Sequence, residues 1–244
     1  MKFIGLIPAR YASTRFPGKP LVLLGGKPVI QRVYEQVAAT LDAAYVATDD
    51  QRIYDCVTAF GGKAVMTSDK HRSGTDRIRE ALDKIEGNYD VVVNIQGDEP
   101  FIQPSQIKTV CDCFNEASTQ IATLGKPFDC MEAIENPNSP KIVMSNGGFA
   151  MYFSRSVIPF VRGTEPEQWL GAYPFLKHLG IYAYRPEALR AITALPQSSL
   201  EKAESLEQLS RRFDLRGDAH AVGAVTRPPT RTHEASIVLA TLRV

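Results

Sequence analysis

Residues Asp90-Val91-Val92-Val93-Asn94-Ile95-Gln96 form a nearly continuous apolar run that stops at Gly97-Asp98-Glu99-Pro100. A strand apolar on both faces must be covered on both faces, which is the condition of a central strand in a parallel sheet. The flanking sequence repeats the theme. Phe3-Ile4-Gly5-Leu6-Ile7, Ala43 to Thr48 and Lys63-Ala64-Val65-Met66 read as further strands. Ile30, Val33, Tyr34, Val37 and Leu41 recur at helical spacing and predict a helix over about 28–41. Asp50 is placed to cap a helix over 51–60 that stops at Gly61-Gly62. Ile78, Ala81, Leu82 and Ile85 mark the apolar face of another helix, and Pro104 opens a fourth with Ile107, Val110, Cys111 and Phe114 facing inward. Strand and helix in alternation predict an α/β fold with a mostly parallel sheet flanked by helices and right-handed crossovers.

In such a sheet, ligand loops gather at the carboxyl ends of the strands. Three segments fall there. The first, 8–20, carries Arg10, Arg15 and Lys19 with Ser13, Thr14 and Gly18. Guanidinium and ammonium groups beside small hydroxyl donors suit a polyphosphate, and the same composition also describes a plain basic surface loop. The second is 67–77, with Ser73-Gly74-Thr75-Asp76-Arg77 before the next helix. The third is 96–100. Asp98 there is the better candidate for a magnesium ligand, since Mg²⁺ takes one or two carboxylates plus substrate phosphates. An Asp-Glu pair can equally serve as a cap. Gln96 is neutral and suits a hydroxylated substrate.

The second half is less regular. Lys141 to Met144 and Ala150 to Ser154 predict a hairpin around Asn146-Gly147-Gly148. His178 to Arg185 reads as a strand, followed by helices over about 186–195 and 200–213. This half is expected to cap the sheet and add substrate contacts.

Function classes fall away on composition. A net charge of +1 gives no global case for nucleic acid or an anionic membrane. No apolar run approaches the ~18 residues of a membrane span, and Phe3 to Ile7 is too short for a signal-peptide core. A cytoplasmic protein is expected. Cys56, Cys111, Cys113 and Cys130 form no zinc set. There is no Walker sequence, no dinucleotide fingerprint and no G-x-S-x-G elbow. What remains is a site built for positioning and charge neutralisation, as phosphoryl or nucleotidyl transfer requires.

The motifs carry a resemblance. Ile7-Pro8-Ala9-Arg10, Ser13-Thr14-Arg15 and Pro17-Gly18-Lys19-Pro20-Leu21 resemble the N-terminal signature of sugar cytidylyltransferases. With Val46 to Asp50, Ser73 to Arg77, Asn94 to Pro100, Tyr152-Phe153-Ser154-Arg155, His178-Leu179-Gly180-Ile181-Tyr182 and Glu204-Ser205-Leu206-Glu207-Gln208-Leu209, the set resembles the 3-deoxy-manno-octulosonate (Kdo) cytidylyltransferase family over about residues 2–213. The resemblance implies a Rossmann-like nucleotide domain spanning 1–244, with a capping and dimerisation subdomain at about 130–200. It implies a homodimer that joins CTP to Kdo, an acidic eight-carbon sugar, for lipopolysaccharide assembly, with Mg²⁺ required. Amino-Kdo or a sialic acid is the alternative sugar, and a catalytically impaired nucleotide-binding homologue the alternative class. Carried over by motif, Arg10, Ser13, Arg15 and Lys19 would hold the CTP phosphates, and Ser73 and Gly74 would line the cytidine pocket. Asp98 would bind Mg²⁺, with Arg15, Lys19 and Asp98 carrying catalysis. Gln96, Arg155, His178, Tyr182, Glu204 and Gln208 would serve the sugar acid.

One family element has no counterpart. The family closes on a Val-Asp-Thr-Pro-Glu-Asp-type segment whose first Asp gives the metal a second carboxylate. Residues 210–244 form instead an atypical tail with six arginines and no lysine. Its Asp214 and Asp218 are carboxylates without that motif around them.

Overall fold

Phe3–Ala9 forms strand β1, and its burial follows from its sequence: Ile4, Leu6 and Ile7 are fully buried. The computed structural model describes residues 1–12 and 16–210, together with the backbone of Ile237 and Val238. After β1 come a two-stranded ribbon, β2 (Leu23–Leu24) and β3 (Lys27–Pro28), then helix α1 (Val29–Ala38), β4 (Ala43–Thr48), α2 (Gln51–Ala59), β5 (Ala64–Met66), α3 (Gly74–Lys84), β6 (Val91–Asn94) and α4 (Pro104–Asp112). The remaining elements are β7 (Ile121–Pro127), α5 (Met131–Glu135), β8 (Lys141–Met144), β9 (Ala150–Ser154), α6 (Trp169–Ala172), β10 (Leu176–Tyr184), α7 (Pro186–Thr193), α8 (Ser199–Glu204) and β11 (Ile237–Val238). The chain forms two compact units, Met1–Asp112 with Ile181–Thr193, and Cys113–Gly180 with Ala194–Val244.

In the first unit β1 is the centre. It pairs in parallel with β4 on one side, with Leu6 opposite Tyr45, and with β6 on the other, with Leu6 opposite Asn94. β5 extends the sheet in parallel beyond β4, and the last residues of β10 close the other side antiparallel to β6. The sheet is therefore mixed and mostly parallel. Val91, Val92, Val93 and Ile95 are fully buried, as a central strand covered on both faces requires. α1 covers it with Ile30, Val33 and Val37, and α3 with Ile78 and Ala81. Gly5 lets α1 come close, since a Cβ there would stand 2.2 Å from Val37 Cγ1.

The local signals worked where a cap decided the boundary. Asp50 accepts the Arg52 amide at 3.0 Å and starts α2. Ser73 does the same for α3, accepting the Asp76 amide at 3.1 Å. Gly74 to Arg77, expected to close a loop, are therefore the first turn of the helix.

In the second unit β8 and β9 form the expected hairpin, with Ile142 opposite Phe153. β8 also pairs antiparallel with the first residues of β10, and β7 pairs antiparallel with β11. Ile142, Phe153, Leu176, Leu206 and Leu209 make one apolar cluster, and Phe128, Ile134 and Phe175 make another. Of the helix expected over 200–213, residues 211–213 lie outside the described residues, and α8 stops at Glu204. Ser205 turns left-handed there (φ 51°), and a 3₁₀ turn follows at Glu207–Leu209. β7 was not expected from the sequence. The four cysteines are free thiols. No helix among the described residues is long and apolar enough to cross a membrane.

The close approach of α1 to β1 yields a stability test. Gly5→Ala should destabilise the protein by about 1–3 kcal/mol, the usual result of overpacking a filled core. Thermal unfolding would show it as a Tm several degrees lower, and an unchanged Tm would refute tight packing at this point.

Candidate active site

The parallel strands of the first unit end at one edge, so the segments after β1, β4, β5 and β6 start from that edge. After β1 the chain turns at exposed Arg10 and half-buried Tyr11. Ser13, Thr14 and Arg15 lie outside the described residues. The segment is gathered again at Gly18, which adopts φ 71° and donates its amide to Tyr11 O at 2.9 Å. A side chain there would be strained by that φ and would meet the Tyr11 ring at 3.0 Å. The other participant is Arg52 of α2, whose guanidinium lies 3.3 Å from the Tyr11 ring centroid. Asp50 orients it, accepting from Arg52 Nε at 2.9 Å and from Nη2 at 2.7 Å. Those hydrogen bonds hold the Asp50 carboxyl below the usual carboxylate range.

Lys19 follows in a 3₁₀ turn and donates to Asp98 Oδ2 at 2.7 Å. The approach depends on Gly97, because a Cβ there would stand 2.8 Å from Pro8 O. The structure thus brings together two residues that lie 79 positions apart in the sequence. Their side chains are 40% and 51% exposed, so the pair is worth at most about 1 kcal/mol to folding and can exchange partners with a ligand. Gln96 is half-buried two residues before Asp98. Tyr182 lies opposite Asn94 in the sheet and stacks on Tyr184. Asn94 Oδ1 is buried and is the one such side-chain atom without a hydrogen-bond partner among the described residues.

Asp98 offers Mg²⁺ a hard, solvent-facing oxygen donor. Among the described residues no group of three or more His, Cys, Asp or Glu could hold a metal ion unaided. With no such group among the described residues, substrate oxygens and water would complete the shell around Asp98, a pattern that suits Mg²⁺ and a nucleoside triphosphate. Asp214 and Asp218 lie outside the described residues.

The segment after β5 is held by α3. Arg77, 4% exposed, donates to Asp49 Oδ2 at 2.6 Å and to Thr67 Oγ1 at 2.6 Å. Glu80 accepts the Ser68 amide at 3.0 Å, the His71 ring and Lys84 Nζ at 2.7 Å. Burial opposes ionisation of Glu80, but the hydrogen bonds from Lys84, Ser68 and His71 outweigh it and hold the carboxyl at about 2.

In the second unit His178 is buried, with Gln208 Nε2 at 3.4 Å from Nδ1 and Thr123 Oγ1 at 3.0 Å from Nε2. Both ring nitrogens of His178 thus have a polar neighbour from the protein. Phe153 packs edge-on against the ring, 5.1 Å between centroids. Arg155 and Glu204 engage each other. The Glu204 carboxylate accepts from Ser154 Oγ at 2.7 Å and from the Arg155 amide at 2.9 Å. The Arg155 guanidinium donates to the carbonyls of Glu204 (2.5 Å), Pro137 (2.9 Å) and Ser205 (3.2 Å). Beneath them the fully buried Lys141 ammonium donates to Arg155 O at 2.7 Å and to Asn136 O at 3.0 Å, and burial lowers its pKa. Thr123, Lys141 and Glu80 were not singled out from the sequence. The only signals were a lysine opening an apolar strand and an acidic residue six positions into a helix.

The family profile for cytidylyltransferases matches residues 4–218. The chain belongs to that family. It is 66% identical over 212 residues to a 3-deoxy-manno-octulosonate cytidylyltransferase from Phocaeicola vulgatus, covering 86% of this chain and 84% of the relative. It is 48% identical over 215 residues to an 8-amino-3,8-dideoxy-manno-octulosonate cytidylyltransferase from a Shewanella species, covering 86% and 85%. Among solved structures it is similar to a CMP:2-keto-3-deoxy-manno-octonic acid synthetase complexed with CTP, with a TM-score of 0.79 and 43% identity over 86% of this chain and 85% of that one.

Glu80 generates a pH prediction for this cytidylyltransferase. Its carboxyl lies below its ordinary value of 4.5, at about 2. Its stabilising contribution is therefore full above about pH 4.5 and is lost as pH falls toward 2. Unfolding midpoints measured between pH 7 and 3 should fall less steeply in Glu80→Gln than in the wild type. Parallel curves would refute the assignment.

Proposed function

We propose that this protein is a 3-deoxy-manno-octulosonate cytidylyltransferase, which joins the CMP part of CTP to the C2 hydroxyl of Kdo and releases diphosphate. The observation that carries the reading is the 66% identity to an enzyme of that name. The amino-sugar relative, at 48% identity, makes 8-amino-Kdo the second reading. The reading includes a cytoplasmic homodimer that supplies lipopolysaccharide assembly, as the resemblance implies.

In this reading Arg10, Ser13, Arg15 and Lys19 hold the triphosphate, and Ser73 and Gly74 line the cytidine pocket. Asp98 holds Mg²⁺, which when bound neutralises charge on the phosphate oxygens as diphosphate leaves. Lys19 is already beside Asp98, so triphosphate oxygens arriving there meet a cation and a metal-binding carboxylate together. The basic segment then orients the α-phosphorus for in-line attack by the sugar hydroxyl. Gln96, Tyr182, His178 and Gln208 serve the sugar acid. Arg155 and Glu204 serve it by fixing the turn that leads to Gln208, which their filled hydrogen bonds support.

Diphosphate release, measured with CTP, Mg²⁺ and either Kdo or 8-amino-Kdo, tests the reading. Turnover is expected with Kdo, slower turnover with the amino sugar, and none after chelation of the metal. Arg15→Ala and Lys19→Met should each raise the KM for CTP roughly tenfold or more, and Asp98→Asn should lower kcat by about 10². No release with Kdo would overturn the proposal, and faster turnover of the amino sugar would reassign the substrate.

A further inference from the structure

The segment between β5 and α3 contains neither helix nor strand. Within it the Lys70 amide donates to Ser68 Oγ at 3.1 Å, and at its start the Thr67 amide and Oγ1 donate to Thr48 O of β4 at 2.8 and 3.1 Å. What holds it is one polar edge of α3. Arg77, Glu80 and Lys84 follow one another at three and four residues, so they share a helix face. Each takes a successive part of the segment. Lys84 donates to Met66 O at 2.9 Å. Arg77 takes Thr67 Oγ1, and Glu80 takes the Ser68 amide and the His71 ring. Arg77 also reaches Asp49, so the same guanidinium fixes the segment after β4.

The segment ends at Ser73, the cap of α3, and Gly74 packs on the exit of β1, where a Cβ would stand 3.1 Å from Pro8 Cγ. Backbone movement in 66–72 is therefore delivered to Ser73 and Gly74 and to the base of the Arg10–Lys19 segment. We infer that Arg77 and Glu80 are positioning residues for nucleotide recognition, fixing where Ser73 and Gly74 stand by holding residues 66–71 against α3. This rests on the reading of Ser73 and Gly74 as nucleotide contacts.

Arg77 needs its planar fork, because one group serves Asp49 and Thr67 at once, and lysine offers only a point charge. Glu80 needs its charge, because glutamine can accept the Ser68 amide but cannot pair with both Lys84 and His71. Arg77→Lys and Glu80→Gln are thus small changes that remove the holding function.

The test uses the full-length protein, with KM for CTP, KM for Kdo, kcat, the preference for CTP over UTP, and Tm as readouts. Both variants should raise the KM for CTP roughly tenfold and erode the preference over UTP, with the KM for Kdo changed by less than about twofold. Lys84→Met, at the exposed end of the row, should act in the same direction by roughly threefold. A lower Tm with unchanged CTP KM and unchanged preference would overturn the proposal, since a merely structural role would look like that. If Arg77→Lys does not fold, Glu80→Gln and Lys84→Met decide on the same terms. Ser73→Ala separates the two levels. An unchanged CTP KM in that variant removes the nucleotide reading of Ser73 and the proposal with it. A raised KM there, with Glu80→Gln silent, overturns the positioning role alone.

Discussion

The parallel pairing of β1 with β4 and β6 is the constraint on which the rest of the first unit depends. Parallel strands need long crossovers, and these put helices over both faces. They also make every strand end at the same edge. Pro8, Asp49, Thr67 and Gly97 are scattered over ninety residues of sequence, yet each follows or closes a strand of this one set. Gly5 and Gly97 are what the pairing demands at close quarters: one admits α1 to the strand, the other admits the exit of β6 to the exit of β1.

What the sequence revealed divides along the range of the interaction. β1, β4, β6, the start of α2 and the 141–154 hairpin rest on periodicity, a cap within two residues and a Gly turn, all local. α3 began earlier than the loop reading allowed because its cap, Ser73, competes successfully for the chain. β7 was missed because Ile121-Ala122-Thr123-Leu124 is a short run, with its partners far away in sequence. The charged residues show the same division. Arg10, Lys19 and Asp98 could be picked out by type and by position at a strand end. The occupations of Arg155 and Glu204 could not, because their bonds span 49 residues and depend on a left-handed turn at Ser205. A carboxylate in a motif looks the same in sequence whether it faces a ligand or two donors of its own chain.

Exposure separates the two kinds of charge. Arg77, Glu80, Arg155, Glu204 and Lys141 have donors or acceptors supplied by the protein. For the buried Arg77 and Lys141, removing a partner leaves a desolvated charge behind, which costs several times what a surface pair contributes. These groups are fixed points. Lys19 and Asp98, by contrast, meet at 2.7 Å with about half of each side chain in solvent. Water and ions screen that pair, so little energy is lost when its members turn to other partners.

That difference is what a transfer site needs. A triphosphate enters with several negative charges and leaves divided between two products, so the groups facing it must gain and lose partners in every turnover. Groups held by their own chain would bind too rigidly to follow the charge. Groups without a frame would not be in place when the phosphate arrives, and misplacement by about 1 Å is enough to slow such a reaction severely. Around the strand ends the fold supplies both: the buried Arg77 with Asp49 is tied to the strand-end segments. Lys19 and Asp98 stand on those segments with loosely held charge. Under the proposed assignment, the buried pair holds the frame and the exposed pair meets the phosphates.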